Sequence, residues 1–408
     1  MLIATTQLRA SPQPVSGSAG LVGGSRSVVR VHSTVSSFLV PTAAATPDAP
    51  DTIDQPRRLP GPLDAAAETA MAPGWVIRSE IMAQRYPQAR PGKLGQNRVM
   101  TDPNAASSPA PSAGTAVNGD ISIDYATLGD SDAPPILMIM GLGAQRVSWP
   151  SEFLARLADR GRFVITLDNR DAGLSTHLHD AAVALDELVG ALMGGGQLAE
   201  VPYTLSDMAD DAVAVLDAVG IDRAHIVGAS MGGMIAQMLV IDHPERALSL
   251  TSVFSTTGEM DVGVPTDEAV MALISPVPED REGYITTMME RWKVWSAPEH
   301  WDDRAVRGRL EREYDRSFDP GATPRQLAAI LTSGSREELL PGIKVPTLVI
   351  HGLLDTLVQP TGGRRTAELI PGAELLEIPD MGHELPEAHW DTVIGAIVGH
   401  TAAGQDSA

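Results

Sequence analysis

The chain has no cysteine, few aromatic residues and a shortage of positive charge. Without cysteine it forms no disulfide, no thiolate metal site and no cysteine nucleophile, so a metal site would have to use histidine and carboxylate ligands. Lys and Arg number 30 against 52 Asp and Glu, for a net charge of −22, which argues against the basic surface of a nucleic-acid binder. No run of about 18 apolar residues occurs, so we expect a soluble protein with no membrane span.

The first 115 residues differ in composition from the rest of the chain. They hold 14 Pro, 9 Gly and 12 Ser, and their only aromatic residues are Phe38, Trp75 and Tyr86. A high share of Pro, Gly and Ser without a repeat is typical of disorder, so we predict a disordered leader over residues 1–115. Its acid-free, Arg- and Ser-containing beginning fits an organellar transit peptide, but an inert extension or a translation start at Met100 fits equally. We expect a cytoplasmic protein, with organellar targeting by the leader as the alternative.

From about residue 116, short apolar runs alternate with amphipathic segments. The runs 136–140, 163–167 and 224–227 are almost wholly apolar, as strands covered on both faces require. Helix patterns lie between them, for example from 204 to 220. Alternating strands and helices predict an α/β fold with a mostly parallel, doubly wound sheet.

The alternation stops between Thr256 and Pro341, where helix patterns but no strands are evident. Strand patterns resume near 346–352 and 375–378. A helical insertion between two strands of a parallel sheet is typical of a lid or cap. We therefore predict a core in two parts, an inserted helical cap and a flexible tail, with these bounds: core 116–257 and 342–402, cap 258–341, tail 403–408.

The most informative stretch is Gly228-Ala-Ser-Met-Gly232, a match to G-x-S-x-G between an apolar strand and a helix pattern. A strand-to-helix turn this sharp strains the backbone of Ser230 and leaves no room for side chains at the two glycines. The serine hydroxyl is then held above the sheet, where the N-terminus of the next helix stabilises an anion. A structural turn can have the same five residues, so the motif alone leaves the function open.

Candidates for a base and an acid follow later in the chain. Asp355 comes three residues after the apolar run that ends at Gly352, and His383 follows the last predicted strand. The order Ser, Asp, His, with each residue just past the carboxyl end of a strand, places all three along one rim of the sheet. The sequence therefore predicts a triad in which His383 takes the proton of Ser230 and Asp355 orients the imidazole.

Several further stretches extend the pattern around this triad: Met140-Gly-Leu-Gly143, Asp168-Asn-Arg-Asp-Ala-Gly-Leu-Ser175, His351-Gly352 and Gly382-His-Glu-Leu-Pro386. With the serine turn, they resemble the α/β-hydrolase fold family, and within it the aclacinomycin-methylesterase-like group of bacterial esterases and lipases. The resemblance runs from about residue 120 to 400 and leaves the leader unexplained. It implies Ser230 as nucleophile, Asp355 as acid and His383 as base.

The resemblance also implies an oxyanion hole made of two backbone N–H groups. The candidates are Met231, which follows the nucleophile, and Leu142 in the loop after the first long strand, with Gly143 as a substitute for Leu142. Many members carry His-Gly where this chain has Met140-Gly141. The oxyanion donor in this loop is a backbone N–H, so the missing histidine side chain concerns the support of the loop and not the donor. Candidates for the substrate pocket are two loop glycines and three cap residues, which could equally be cap packing: Gly141, Gly143, Met288, Trp292 and Trp295.

The activity implied is hydrolysis of a small-molecule carboxylic ester with a hydrophobic part, through an acyl-enzyme and without a cofactor. The resemblance points to methyl or other small esters, including those of polyketides. The fold also hosts C–C bond hydrolases and cofactor-free perhydrolases with the same triad, and a ligand-binding relative without turnover is a further alternative. His177-Leu-His179 superficially suggests a metal site, but we expect solvated loop residues there and no metal. The sequence leaves the oligomeric state open.

Overall fold

A computed structural model describes residues 112–181, 183–192, 198 and 201–403. Most of the predicted leader and tail therefore lies outside the described residues. At the junction, the boundary at residue 115 is wrong, because the first strand begins at Ser112. This strand pairs with the next one in antiparallel register from Ser112 opposite Thr127 to Asn118 opposite Ile121, so residues 112–115 belong to the sheet.

Among the described residues, eight strands form one sheet of order β1-β2-β4-β3-β5-β6-β7-β8. The strands are β1 Ser112–Asn118, β2 Ile121–Leu128, β3 Pro135–Ile139, β4 Phe163–Leu167, β5 Ala224–Ala229, β6 Ala247–Val253, β7 Thr347–Gly352 and β8 Glu374–Ile378. The pairs from β4 to β8 are parallel, whereas β2 runs antiparallel to both β1 and β4. The predicted mostly parallel α/β sheet is confirmed.

The same part of the chain contains ten α-helices: α1 Ser151–Asp159, α2 Leu185–Leu192, α3 Leu205–Val219, α4 Met231–Asp242, α5 Asp267–Ile274, α6 Arg281–Trp295, α7 Asp303–Arg316, α8 Ala322–Ser333, α9 Pro360–Leu369 and α10 Trp390–Ala403. Helices α5 to α8 all lie between β6 and β7, and no strand occurs in residues 254–346, all of which are described. None of the helices in the described ranges is long and apolar enough to span a bilayer.

The core lies on both faces of the sheet, because successive side chains of a strand point to opposite sides. In β3, Leu137 and Ile139 join a buried cluster with residues of α3 and α4. Ile136 and Met138 join a second cluster with residues of α1 and α10. This two-sided burial explains why β3, β4 and β5 are almost wholly apolar, and it leaves the carboxyl ends of the strands as the rim where the helices begin.

One buried histidine in this core makes the stability of the fold depend on pH. His225, on β5, is fully buried, and its Nδ1 lies 2.8 Å from Oγ of Ser249. Burial lowers the pKa of His225 from its ordinary 6.5 to about 4. Three positively charged or protonatable neighbours add to this effect: Arg162, His400 and Arg223.

We expect the free energy of unfolding to fall as the pH drops from about 6.5 towards 4, because in this window the unfolded chain protonates His225 and the folded chain does not. The contribution of this residue is at most about 1.4 kcal/mol per pH unit. Urea unfolding at a series of pH values measures it. A His225→Asn variant should show a shallower pH dependence across this window, and an unchanged slope would contradict the assignment.

Candidate active site

Ser230 occupies a strained turn between β5 and α4. Its φ of 57° and ψ of −122° lie in a region that residues with a side chain seldom adopt. A Cβ at Gly228 would overlap the carbonyl group of Gly232, and one at Gly232 would overlap the carbonyl oxygen of Ile139. Gly228 is therefore required for β5 and α4 to approach this closely, and Gly232 for α4 to approach the end of β3. The turn lifts the serine side chain to the rim.

The structure brings the three predicted triad residues together in hydrogen-bonding contact. Nε2 of His383 lies 2.9 Å from Oγ of Ser230, and Nδ1 lies 2.7 Å from Oδ2 of Asp355. His383 and Asp355 are only 4% and 3% exposed. Because an ionised carboxylate can only accept, we assign the proton to Nδ1 of His383, which leaves the Nε2 lone pair facing the serine hydroxyl.

Asp355 is held as a carboxylate by its surroundings. Burial alone would raise its pKa, but the interactions with His383 and His351 outweigh burial and lower the pKa below its ordinary value. Its other oxygen, Oδ1, accepts hydrogen bonds from the backbone N–H groups of Leu357 at 2.9 Å and Val358 at 2.8 Å. These bonds fix the plane of the carboxylate, so that Oδ2 is the atom directed at the imidazole.

The inserted helices contact the backbone around His383. The N–H of His383 donates to the carbonyl oxygen of Trp295, at the end of α6, at 2.8 Å. A Cβ at Gly382 would lie 2.6 Å from the backbone nitrogen of Ala297, and Glu384 accepts from that nitrogen at 3.1 Å. The histidine loop is thus bound to the segment that follows α6, so this segment fixes the position of the histidine backbone.

The loop after β3 lies directly against the nucleophile. A Cβ at Gly141 would stand 2.9 Å from Cβ and 3.4 Å from Oγ of Ser230, so only a glycine lets the loop come this near. Within the described residues, neither the N–H of Leu142 nor that of Met231 donates a hydrogen bond. The N–H of Gly143, in contrast, donates to Oε1 of Gln326 at 2.8 Å. Leu142 and Met231 therefore remain the candidate oxyanion donors, and Gly143 is already engaged.

Two side-chain amides support this loop, and sequence reasoning missed both. Nδ2 of Asn169, just after β4, donates to the carbonyl oxygen of Met140 at 2.9 Å. Gln326, on α8 and fully buried, bonds the N–H of Gly143 and donates from Nε2 to the carbonyl oxygen of Arg170 at 2.9 Å. Gln326 lies 183 residues from Gly143 in sequence, and no motif marks it, so the sequence carries no signal of this contact.

We expect Gln326→Leu to lower kcat about 10-fold or more with a smaller change in KM, because misplaced oxyanion donors weaken binding of the transition state more than that of the substrate. Steady-state kinetics on a soluble ester measures both constants. Thr366→Val is the matched control, since it removes a buried hydrogen bond to the carbonyl oxygen of Gly362 within α9, and its kcat should equal that of the wild-type protein. A Gln326 variant that loses stability but keeps the wild-type kcat would contradict this role.

Buried ion pairs connect the inserted helices to the sheet beside the site. Arg316, on α7, lies 2.6 Å from Asp168 and 2.8 Å from Asp124, and Arg325, on α8, lies 2.7 Å from Asp171. These side chains are at most 15% exposed. Truncating one member of a buried pair leaves the other charge uncompensated and is destabilising. These pairs therefore fasten α7 and α8 to the residues of the sheet beside the site.

The pocket candidates on α6 pack mainly with other residues of the inserted segment. Trp295 is 5% exposed, and its ring meets that of Trp292 edge to face at 5.5 Å between centroids. The guanidinium of Arg309 stacks 4.1 Å above Trp292, and Sδ of Met288 lies 3.7 Å from Arg291. Trp295 contacts the triad through its carbonyl oxygen, and contact of these residues with substrate remains a prediction.

His177 differs from the expected solvated loop residue. Its Nδ1 lies 3.0 Å from Oδ2 of Asp319 and its Nε2 lies 3.0 Å from the carbonyl oxygen of Gly173, with the side chain 13% exposed. His179, in contrast, is 70% exposed. Sequence spacing could not show this difference, because the partner of His177 is supplied by the segment between α7 and α8.

Comparisons with known proteins agree with this fold. A family model described as the alpha/beta hydrolase fold matches residues 134–288. The chain is 32% identical over 298 residues to rhodomycin D methylesterase DauP of Streptomyces sp. (strain C5), covering 68% of this chain and 93% of that protein. It is 31% identical over 308 residues to rhodomycin D methylesterase DnrP of Streptomyces peucetius, covering 70% and 97%.

Solved structures with the same fold include enzymes of different kinds. The enol-lactonase from Burkholderia xenovorans LB400 matches with a TM-score of 0.54 and 23% identity, covering 71% of this chain and all of that one. The meta-cleavage product hydrolase from Pseudomonas fluorescens IP01 matches with a TM-score of 0.57 and 20% identity, covering 71% and 97%. Likeness at this level of identity shows the fold alone. With the sheet order, the serine turn and the methylesterase relatives, the chain belongs to the α/β-hydrolase fold family, in the group of esterases that includes the rhodomycin D methylesterases.

Proposed function

We propose that the protein is a serine hydrolase that cleaves carboxylic esters with a hydrophobic part through an acyl-enzyme on Ser230. The observation that carries the proposal is the continuous contact from Ser230 through His383 to Asp355, with heavy-atom distances of 2.9 and 2.7 Å. A hydroxyl presented at a strained turn, a base in bonding reach and an ionised carboxylate behind the base are the parts that acyl transfer requires.

In the first half of the reaction, Oγ of Ser230 attacks the ester carbonyl carbon while Nε2 of His383 takes the hydroxyl proton. The imidazolium that forms is stabilised by the carboxylate of Asp355. The negative charge on the carbonyl oxygen is held by the N–H groups of Leu142 and Met231, and such a donor typically contributes about 3 kcal/mol to the transition state. The imidazolium then gives its proton to the leaving alcohol.

In the second half, water attacks the acyl-enzyme, with His383 again as the base. The proton taken from water passes to Oγ of Ser230, and the acid product leaves. The same two N–H groups serve the second tetrahedral intermediate, because its oxyanion forms at the same place. At every stage, the oxyanion and the imidazolium are stabilised by groups that the folded chain has already oriented.

For the substrate we propose a methyl or other small ester of a carboxylic acid on a hydrophobic body. Two relatives that match 68% and 70% of the chain are methylesterases of rhodomycin D, and the inserted segment next to His383 supplies Trp292, Trp295 and Met288. Esters of polyketides fit both facts. A net charge of −22 disfavours a strongly anionic substrate.

The test is a panel of esters together with a fluorophosphonate probe. We expect turnover of short p-nitrophenyl esters and of methyl esters of apolar aromatic acids, and complete inhibition by the probe. Hydrolysis of a C–C bond substrate, or peroxyacid formation from acid and peroxide, without ester turnover would favour the alternative enzymes. Labelling by the probe without turnover of any substrate would favour a ligand-binding relative.

A further inference from the structure

Outside the active site, two histidines and a carboxylate converge from separate parts of the chain. Nε2 of His300 lies 2.9 Å from Oδ2 of Asp380, and Nε2 of His389 lies 3.0 Å from Oδ1 of the same residue. The two imidazole rings meet edge to face at 5.0 Å between centroids. Each residue offers one ligand atom, and these atoms lie within 4.8 Å of one another, so two nitrogens and one carboxylate oxygen are within reach of a common ion.

Hydrogen bonding does not account for the whole cluster. His300 makes a hydrogen bond to Asp380, but the contact of His389 lacks hydrogen-bond geometry, and within the described residues its buried Nε2 has no hydrogen-bond partner. A buried polar atom without a partner costs free energy unless something else satisfies it. A cation between this nitrogen and the carboxylate of Asp380 would give both atoms a partner.

The donor set fits a divalent transition metal. Zn²⁺ binds imidazole nitrogen and carboxylate oxygen at about 2.0–2.2 Å in tetrahedral geometry, which sets roughly 3.3 Å between ligand atoms. The separations of 2.9 Å from His300 Nε2 to Oδ2 and 3.0 Å from His389 Nε2 to Oδ1 differ from this value by a few tenths of an ångström. The two nitrogens and one carboxylate oxygen lie within 4.8 Å of one another, so a modest movement brings them to ligand distance. The histidine side chains are 15% and 16% exposed, but that of Asp380 is 41% exposed, so an ion can enter from solvent and water can take the fourth position.

We propose that His300, Asp380 and His389 form a zinc-type metal site that ties the inserted helices to the loop carrying the catalytic histidine. His300 lies between α6 and α7, Asp380 comes three residues before His383, and His389 comes six residues after it. A bound ion would cross-link the same two segments that the backbone bond from His383 to Trp295 already joins. The proposal concerns a site apart from the triad and does not depend on the proposed function.

The test uses the full chain, stripped of metal with a chelator and titrated with Zn²⁺ by calorimetry and with Co²⁺ by visible absorption. We expect one equivalent of Zn²⁺ to bind and to raise the melting temperature by a few degrees, since the unfolded chain lacks the assembled site. Co²⁺ should give the visible bands of a four-coordinate ion. His300→Ala and His389→Gln should each weaken binding at least about 10-fold.

Two control variants separate this site from other metal-binding groups. His179→Ala removes a histidine from the second possible cluster, with His177 and Asp319, and His383→Ala removes the imidazole of the triad. Both should retain Zn²⁺ binding at the wild-type affinity. Absence of Zn²⁺ binding by the wild-type protein would overturn the proposal, and this result does not depend on whether any variant folds. Zn²⁺ binding that is lost only in one of the two control variants would also overturn it.

Discussion

Ser230→Ala is expected to lower kcat for ester hydrolysis by about 10⁴- to 10⁶-fold, because no other group replaces the attacking hydroxyl. The fold should survive, since the side chain of Ser230 is used for no bond other than that to His383 among the described residues. Circular dichroism and the melting temperature should therefore match the wild-type protein. Hydrolysis of a p-nitrophenyl ester, followed with enough enzyme to detect one part in a million, measures the loss.

A control for this variant is Ser206→Ala, which removes a hydroxyl that bonds Asp242 at the surface, away from the triad. It should hydrolyse the ester at the wild-type rate. The double variant Ser230→Ala, His383→Ala should be no slower than Ser230→Ala alone, because the base has no function without the nucleophile. A Ser230→Ala enzyme that keeps several per cent of the activity would remove Ser230 from the mechanism.

Asp355→Asn is expected to lower kcat by about 10⁴-fold, for a reason visible in the hydrogen bonds. Oδ1 of Asp355 accepts from two backbone N–H groups, those of Leu357 and Val358. An asparagine there keeps its carbonyl oxygen on these donors and so directs its NH₂ at His383. The imidazole then accepts at Nδ1 and carries its proton on Nε2, which leaves no lone pair for the hydroxyl of Ser230.

The matched control for this change is Asp210→Asn, which alters a surface Asp–His pair in which Oδ1 of Asp210 lies 2.7 Å from Nε2 of His243. Its kcat should equal that of the wild-type protein. Steady-state kinetics at neutral pH compares the two variants, with the melting temperature measured alongside. If Asp355→Asn stayed within about 10-fold of the wild-type kcat, Asp355 could not be the residue that sets the tautomer of His383.

The strands that the sequence predicted are those whose residues are almost all apolar. Strands β3, β4 and β5 are buried on both faces, so they read as almost wholly apolar runs, with Thr166 and His225 as polar exceptions. Strand β6 was missed, because its buried side chains include Ser249, Thr251 and Ser252, which interrupt the apolar pattern without leaving the core. The order of the strands could not be predicted either, since parallel pairing joins segments far apart in the chain.

The candidate site divides in the same way. Ser230, Asp355 and His383 could be named because each follows a strand, and strand ends of a parallel sheet share one rim. The residues that support the loop after β3 could not be named, because Gln326 and Asn169 act through contacts with backbone atoms that no local pattern indicates. The cluster of His300, Asp380 and His389 was not predicted either, because its members are separated in sequence and meet only in the folded chain.

The most direct test of the central claim is to find which atom of the protein becomes acylated or phosphonylated. The protein is treated with a fluorophosphonate, residual ester hydrolysis is followed, and the labelled protein is digested for peptide mass spectrometry. We predict one adduct per chain, on the peptide that contains Ser230, with activity lost in proportion to labelling. An adduct on a different residue, or full ester hydrolysis by completely labelled protein, would contradict the account.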